Sequence, residues 1–214
     1  MTLDPLPKAW KQMRRRFFAE PPEIVAPLLL GKILARRTAD GWLAGRIVEV
    51  EAYLGPHITE TPDPAAHSFR GVTARNAVMF GLPGYSYVYF IYGMYYCVNV
   101  TCEPEGKAGA ILIRALEPVL GQSTMAANRG LAANATPAKL TAGPGRLCQA
   151  MGITRPEHNG LDYLDPESPL QIRSDNWNSG KIEVTPRIGI RHAADLPLRF
   201  AVANNCCVSR VRSS

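Results

Sequence analysis

The sequence predicts an α+β fold with a mainly antiparallel β-sheet. Short runs of β-branched and aromatic residues recur along the chain and end at glycine or proline turns, which is typical of strands in such a sheet. Two proline-opened segments have the apolar spacing of short helices instead. The sequence contains no internal repeat and no low-complexity linker, so strands and helices are expected to share one domain.

The first half of the chain contains one helix, one long strand and one long loop. Residues 21–29 begin with two prolines and continue with apolar side chains on one helical face, which predicts a short core helix. Residues 42–53 predict a strand that ends before Gly55-Pro56. Residues 56–72 are rich in proline, threonine, histidine and aspartate, and a loop of that length usually has a function.

The second half opens with the strongest strand pattern. Residues 85–100 are rich in tyrosine and valine around Gly93, so we predict a β-hairpin that bends near Tyr92-Gly93. The later segments are a strand at 110–116, a helix at 143–151 and short strands within 181–190 and 198–202.

Composition excludes several classes of protein. Of the 214 residues, 46% are hydrophobic and 20% are charged, which is too apolar for a disordered chain. The longest apolar stretch, residues 24–30, is interrupted by Pro27 and falls far short of the roughly 18 residues that cross a bilayer. Lysine and arginine outnumber acids by 24 to 18, a net charge of +6, which weakly favours a phosphate-rich partner.

The cysteines and the N-terminal residues predict the compartment of the protein and the start of its domain. Five cysteines in unpaired spacing indicate reduced thiols inside the cell. Arg14-Arg15-Arg16 resembles a twin-arginine export signal, but residues 19–23 are polar and proline-rich where an apolar segment is required. We therefore predict a solvated basic arm over residues 1–16, able to contact nucleic acid, and one domain over 17–214.

Tyrosine is concentrated in one segment. Six of the eight tyrosines fall within twelve residues, at positions 85, 87, 89, 92, 95 and 96. A hairpin needed only for packing would use Phe, Val or Ile, because a buried tyrosine hydroxyl needs a partner. Strand alternation places Tyr85, Tyr87 and Tyr89 on one face, where a stacked nucleobase gains roughly 1–3 kcal/mol. A solvated tyrosine-rich surface fits the spacing equally well.

Two carboxylates stand two residues apart near the end of the long strand. Glu49 and Glu51 share a face by alternation, so they could flank a pocket and raise one another's pKa, as general-base chemistry needs. The pattern alone favours the simpler alternative of two solvated acids. Gly143-Pro144-Gly145 could bind a phosphate at a helix N-terminus or form a tight turn.

Metal chemistry has little support in the sequence. His57, His67 and His158 stand alone, and no Cys-x-x-Cys occurs, whereas a zinc deaminase needs His-x-Glu with Pro-Cys-x-x-Cys. A Gly-x-Ser-x-Gly motif for serine-based hydrolysis is also missing from the sequence. We expect neither a metal nor another cofactor.

Several motifs in order carry a resemblance to a known family. They lie at residues 46–55, 65–68, 75–76, 79–81, 83–84, 87–89, 91–100 and 112–118, and further similarity spans residues near 17–18, 143–150, 187–189 and 197–200. On these segments the chain closely resembles the alkyladenine (3-methyladenine) DNA glycosylase family. The resemblance covers nearly the whole chain and implies a curved antiparallel sheet surrounded by short helices, with a protruding hairpin.

The resemblance assigns the hairpin to DNA. A glycosylase must extract a nucleotide from the duplex before it can cut the glycosidic bond. In this family a tyrosine at the hairpin tip fills the gap from the minor groove, and the matching residue is Tyr92. Met94 and Tyr95 match residues that flank this wedge.

The resemblance also implies a base pocket. The flipped base is expected between Tyr89 on one face and Tyr53 with His67 on the other, with Tyr87 as a further pocket residue. Asn99 matches the residue that crowds the place of guanine's 2-amino group, which disfavours ordinary guanine.

Two residues match catalytic positions. Glu51 corresponds to the general base that activates water, and Arg114 to a residue that holds that water and a nearby phosphate. The implied protein is a monomeric, monofunctional DNA glycosylase that acts inside the cell on duplex DNA containing damaged purines, with no membrane partner. The alternatives are a non-catalytic module that binds damaged DNA, and an RNA-directed domain.

Overall fold

The computed structural model describes residues 5–58 and 60–209, and within them the predicted α+β class with a mainly antiparallel sheet is confirmed. Nine strands occur in the described chain: β1 (Lys11–Gln12), β2 (Ile33–Thr38), β3 (Gly41–Tyr53), β4 (Ser86–Ile91), β5 (Tyr95–Cys102), β6 (Gly109–Leu120), β7 (Leu170–Ser174), β8 (Ile182–Thr185) and β9 (Arg199–Val202). Five short helices accompany them: α1 (Pro22–Leu29), α2 (Gln122–Asn128), α3 (Pro137–Thr141), α4 (Pro144–Met151) and α5 (Arg155–His158).

Strand β3 is the centre of the sheet. The strand order is β1-β7-β2-β3-β6-β5-β4, and β9, which also pairs with β8, adds to β3. On one edge β3 pairs with β2 along residues 41–46 and then with β9 along 49–51, while β6 covers the other edge. The β3–β6 register shifts near Ile47 and Glu49, as at a β-bulge, where a strand bends. The end of β3 therefore lies between two antiparallel neighbours and is deeply buried.

The predicted helix at 21–29 and the strand at 42–53 are both confirmed. Helix α1 begins at Pro22 and packs Val25 and Leu29 into the core beside β3. Strands β2 and β7 and helices α2 and α3 had no sequence prediction. Helix α4 begins at Pro144, as predicted. None of the described helices is both long and apolar enough to span a bilayer.

The hairpin bends where the sequence predicts. Tyr92 and Gly93 have φ angles of 52° and 66°, and the Met94 amide donates to the carbonyl of Ile91 at 3.2 Å. A turn with two positive φ angles matches the twist of a hairpin, but it is unfavourable for a residue with a Cβ by about 1–2 kcal/mol. The side chains of Tyr92 and Met94 are 82% and 64% exposed.

The N-terminal segment departs from the expected solvated arm. Residues 1–4 lie outside the described chain, but Lys11 and Gln12 pair with β7. Arg15 donates to the Asp162 carboxylate at 2.5 Å and to the carbonyl of Pro83 at 2.7 Å. Residues 11–16 are therefore held against the domain.

All five cysteines lie in the described chain and are free. The sulfur atoms of Cys206 and Cys207 are 3.9 Å apart. Arg210 and Arg212 lie outside the described residues.

Candidate active site

A cavity opens beside the end of β3. Its volume is about 110 Å³. It lies between β3, the loop that follows it and the β4–β5 hairpin, and its lining residues are Tyr53, Ala65, His67, Met79, Tyr87, Tyr89, Asn99, Ala110 and Ile190. All five residues that the sequence assigned to base binding thus line one cavity. Ala65, Met79, Ala110 and Ile190 complete it and had no sequence prediction.

One wall consists of packed aromatic rings. The Tyr87 and Tyr89 rings are 5.4 Å apart, and the His67 ring meets Tyr89 edge-on at 4.5 Å. The Nδ1 atom of His67 lies 2.8 Å from the Tyr87 hydroxyl oxygen. His67 therefore belongs to the Tyr89 side of the cavity, and its expected grouping with Tyr53 is wrong.

Arg75 affects His67 in this aromatic wall, and Arg15 packs on Tyr85 near it. Partial desolvation and then the charge of Arg75 lower the pKa of His67 below its ordinary value, so the imidazole is neutral near pH 7. Tyr85, expected on the same platform, precedes β4, and its ring packs under the guanidinium of Arg15 at 5.3 Å. Only Tyr87 and Tyr89 of the three alternating tyrosines line the cavity.

Tyr53 connects the cavity to a buried carboxylate. Its hydroxyl donates to Oε2 of Glu51 at 2.9 Å, and its ring lies 4.6 Å from the guanidinium carbon of Arg187. Burial and the adjacent Glu51 charge raise the pKa of Tyr53, so the phenol keeps its proton and remains a donor.

Glu51 is fully buried, and so is Glu49. The alternative of two solvated acids is wrong, because Arg114 of β6, Arg199 of β9 and the segments at Ile188 and Ser209 cover the two carboxylates. Glu51 Oε1 accepts from the backbone amide of Ile188 at 2.7 Å and lies 3.2 Å from Nη1 of Arg114. With the Tyr53 hydroxyl, three donors surround this carboxylate.

Glu49 has a different environment. Its carboxylate accepts from Nε of Arg114 at 2.9 Å, from Nε of Arg199 at 2.8 Å and from the amide and hydroxyl of Ser209, both at 2.6 Å. Burial opposes the charge, but Arg114, Ser209 and Arg199 together lower the pKa of Glu49. The expectation of mutually raised pKa values is therefore wrong for Glu49, because Arg114 contacts both acids and Arg199 adds a second positive charge at Glu49.

Arg114 bridges the two acids. Its side chain is buried, and it contacts Glu49 through Nε and Glu51 through Nη1. Burial disfavours the guanidinium charge, but Glu51 and Glu49 outweigh it and raise the pKa of Arg114. The arginine is fixed in orientation by two carboxylates, which is what a positioning cation next to a reacting group requires.

Asn99 is fixed by the hairpin. Its side-chain amide donates to the carbonyl of Tyr87 at 2.9 Å, across the β4–β5 pair. Its own backbone carbonyl accepts from the Tyr163 hydroxyl at 3.2 Å. The amide therefore has a defined orientation in the cavity wall.

A buried ion pair holds the loop after β3. Arg187 donates through both terminal nitrogens to Asp63, at 2.7 Å each, and both side chains are fully buried. Asp63 also accepts from the amide of Leu54 at 3.0 Å. Sequence reasoning missed this pair, because 124 residues separate its members and only the folded chain brings them together.

The hairpin foot packs tightly on α4. A Cβ added to Gly145 would lie 2.9 Å from Cγ of Tyr95, closer than real contacts allow. The glycine thus permits close packing of the Tyr95 ring on the first turn of α4. Tyr92 and Tyr89 are three residues apart, so about 10 Å of chain separates the hairpin tip from the cavity.

Among the described residues no group of three or more His, Cys, Asp or Glu is arranged to hold a metal ion.

An aromatic cavity beside a buried, hydrogen-bonded carboxylate is typical of an enzyme that binds a flat ring. The model of the methylpurine-DNA glycosylase (MPG) family matches residues 16–206, and the chain belongs to this family. It therefore has a DNA glycosylase role, with DNA as the substrate.

Curated relatives are similar in sequence over nearly the full length of the chain. A protein of Koribacter versatilis is 52% identical over 213 residues, covering 98% of this chain and 95% of its own. Proteins of Rhodopseudomonas palustris and Methanoculleus marisnigri are 49% and 48% identical, over 92% and 91% of this chain and 90% and 96% of their own. All three are named "Putative 3-methyladenine DNA glycosylase".

Proposed function

We propose that this protein flips alkylated or deaminated purines out of duplex DNA and hydrolyses the N-glycosidic bond with a water activated by Glu51. The observation that carries the proposal is the 2.9 Å hydrogen bond between Tyr53, a wall of the aromatic cavity, and the buried Glu51. It places a carboxylate at the hydroxyl edge of a ring on which a base could stack.

The base would stack between Tyr53 and the pair formed by His67 and Tyr89. His67 and Tyr89 already touch each other, so a base cannot enter between them and must lie against both. Asn99, fixed by its bond to the Tyr87 carbonyl, would crowd a 2-amino group and so disfavour ordinary guanine.

Glu51 and Arg114 would carry out the hydrolysis. As the bond to the base breaks, C1′ of the sugar gains positive charge, which a buried carboxylate stabilises. The attacking water transfers its proton to Glu51. Arg114, held by Glu49 and Glu51, would orient the water and the adjacent phosphate.

The reaction would leave an abasic site with an intact backbone. A lyase of the Schiff-base type needs an amine at the sugar, but no lysine is among the described residues that line the cavity. Water is then the nucleophile, and the enzyme is monofunctional.

The hairpin and nearby cations would hold the DNA. Tyr92 and Met94 present apolar side chains to solvent, as an inserted wedge requires. Arg129 lies beside the hairpin foot and donates to Gln149 and to the carbonyl of Lys139. With Lys139 and Arg146 it supplies positive charge for the DNA backbone. Because one chain carries the wedge and the cavity, we propose that a monomer acts on intracellular DNA.

The test is excision from a duplex with one 7-methylguanine or one hypoxanthine. We expect an abasic product that breaks only after alkali, and no covalent adduct on borohydride reduction. Tight binding without a product would instead indicate a non-catalytic module. Equal affinity for an A-form RNA duplex would favour the RNA-directed alternative.

A further inference from the structure

We propose that Arg75 favours excision of neutral damaged purines relative to cationic ones, because its charge stabilises the negative charge that a neutral base carries as it leaves. This inference rests on the proposed function and names the substrate class of the same site.

Both stacking walls already have a guanidinium against them. The guanidinium carbon of Arg187 is 4.6 Å from the Tyr53 ring centroid, and that of Arg75 is 5.4 Å from the Tyr89 centroid. Arg187 is neutralised by its two bonds to Asp63. Within the described chain, Arg75 forms no ion pair with an acid.

The backbone holds Arg75 at this place although its side chain is exposed. The next residue, Asn76, is buried, and its side-chain amide donates to the carbonyls of His67 at 2.8 Å and Gly71 at 3.1 Å. Its side-chain oxygen accepts from the amide of Thr73 at 2.6 Å. The same residue thus fixes His67 and Arg75 relative to each other.

Glu51 and His67 add no net charge at the cavity. Glu51 is paired with Arg114, and desolvation together with Arg75 lowers the pKa of His67, so the imidazole carries no charge near pH 7. Arg75 is then an uncompensated charge at the aromatic wall, and Arg155, which also acts on Tyr87 and forms no ion pair in the described chain, has the same sign. The potential felt by a bound base is therefore positive.

The chemistry distinguishes two kinds of lesion. When the C1′–N9 bond breaks, its electron pair stays on the purine, while the water oxygen bonds to C1′ and its proton passes to Glu51. A purine alkylated at N3 or N7 is cationic before this step and neutral after it. Hypoxanthine is neutral before it and anionic after it. A fixed positive charge therefore opposes binding of the first kind and stabilises departure of the second.

The experiment measures single-turnover excision of hypoxanthine and of 7-methylguanine with enzyme in saturating excess, so that DNA affinity does not limit the rate. We expect Arg75→Gln to slow hypoxanthine excision about fivefold to tenfold, the size of one charge at this range in a partly solvated site. The 7-methylguanine rate should stay constant or rise, and Arg75→Lys should keep most of the hypoxanthine rate. Arg70→Gln, an exposed cation of the same loop, is the control and should change neither rate.

Three results would overturn the inference: an equal loss on both lesions, which would indicate a phosphate contact, no loss on hypoxanthine, or a wild-type enzyme that removes 7-methylguanine alone. A wild-type enzyme that removes neither lesion would instead refute the proposed function.

Discussion

The buried end of β3 and the tip of the β4–β5 hairpin are opposite kinds of surface. At the end of β3, Glu49 and Glu51 are fully buried and all their oxygens have donors. At the tip, Tyr92 is 82% exposed and lies in a left-handed backbone conformation. The carboxylates at the end of β3 have all their hydrogen-bond donors within the chain, whereas the hairpin tip has exposed apolar surface that only a partner can cover. Changes at the end of β3 should therefore reduce chemistry or stability, whereas changes at the tip should impair the interaction with DNA without loss of stability.

The largest expected effect is on chemistry at Glu51. Glu51→Gln should lower single-turnover excision about 10²- to 10⁴-fold, because the amide can neither take a proton nor balance positive charge on the sugar. The amide oxygen can still accept from Ile188 and Arg114, so the melting temperature should change little. Glu105→Gln, at an exposed position, is the control. An unchanged rate in Glu51→Gln would remove Glu51 from the mechanism.

The next effect is on stability at Glu49. Glu49→Ala leaves Arg114 and Arg199 buried without their shared carboxylate, which should cost about 3–5 kcal/mol of unfolding free energy. Urea denaturation measures this loss. A loss below 1 kcal/mol would mean that Arg114 and Arg199 do not depend on the Glu49 carboxylate.

The same carboxylate predicts a pH dependence. The pKa of Glu49 is lowered in the folded protein, so its contribution to stability is present above the unfolded pKa and is lost as the pH falls through the folded value. Wild type should therefore lose more stability on acidification than Glu49→Gln does. Parallel pH profiles for the two proteins would contradict the ion-pair assignment.

At the tip, Tyr92→Gly should separate stability from DNA binding. Glycine relieves the left-handed backbone conformation, so the variant should be as stable as wild type or up to about 1 kcal/mol more stable. Loss of the wedge should slow excision about tenfold to hundredfold, the size of one stacking contact. The fluorescence of a 2-aminopurine next to the lesion reports the flipped population. If that population is the same in both proteins, Tyr92 is not the wedge.

The smallest expected effect lies at the foot of the hairpin. In Gly145→Ala the new methyl group displaces the Tyr95 ring, whose Cγ would lie 2.9 Å away. Overpacking of this kind is mild at a partly exposed ring, so we expect about threefold weaker binding to a lesion duplex, measured by fluorescence anisotropy. Gly81→Ala is the matched control, since its Cβ would meet the Val78 carbonyl at an ordinary 3.5 Å.

These two regions also differ in how well the sequence predicts them. The bend at Tyr92-Gly93 follows from local residues, since a glycine between two strand patterns predicts a turn. Alternation correctly places Glu49 and Glu51 on one face, as their shared contact with Arg114 shows. It could not give their burial, because the groups that cover them come from distant parts of the chain, at Arg114, Arg199 and the segments near Ile188 and Ser209.

The contacts that fix the cavity could not be predicted from the sequence either, because they join residues that only the folded chain brings together. Asp63 and Arg187 are far apart in the chain, and neither stands in a periodic pattern. The guanidinium of Arg75 over Tyr89 depends on how the loop folds around Asn76. The resemblance to a known family placed Tyr53, His67 and Tyr89 in one site, but only coordinates could put His67 on the Tyr89 side.

The link between Tyr53 and Glu51 has one more consequence. A single hydrogen bond joins the ring that would support the base to the acid that would activate water. A poorly seated base that tilts the phenol away removes one of the three donors around Glu51, so a bad fit at the ring disturbs the acid as well. Recognition of the shape of the base and cleavage of its bond would then depend on the same hydrogen bond. Selectivity would be expressed in the rate of the reaction as well as in affinity for the base.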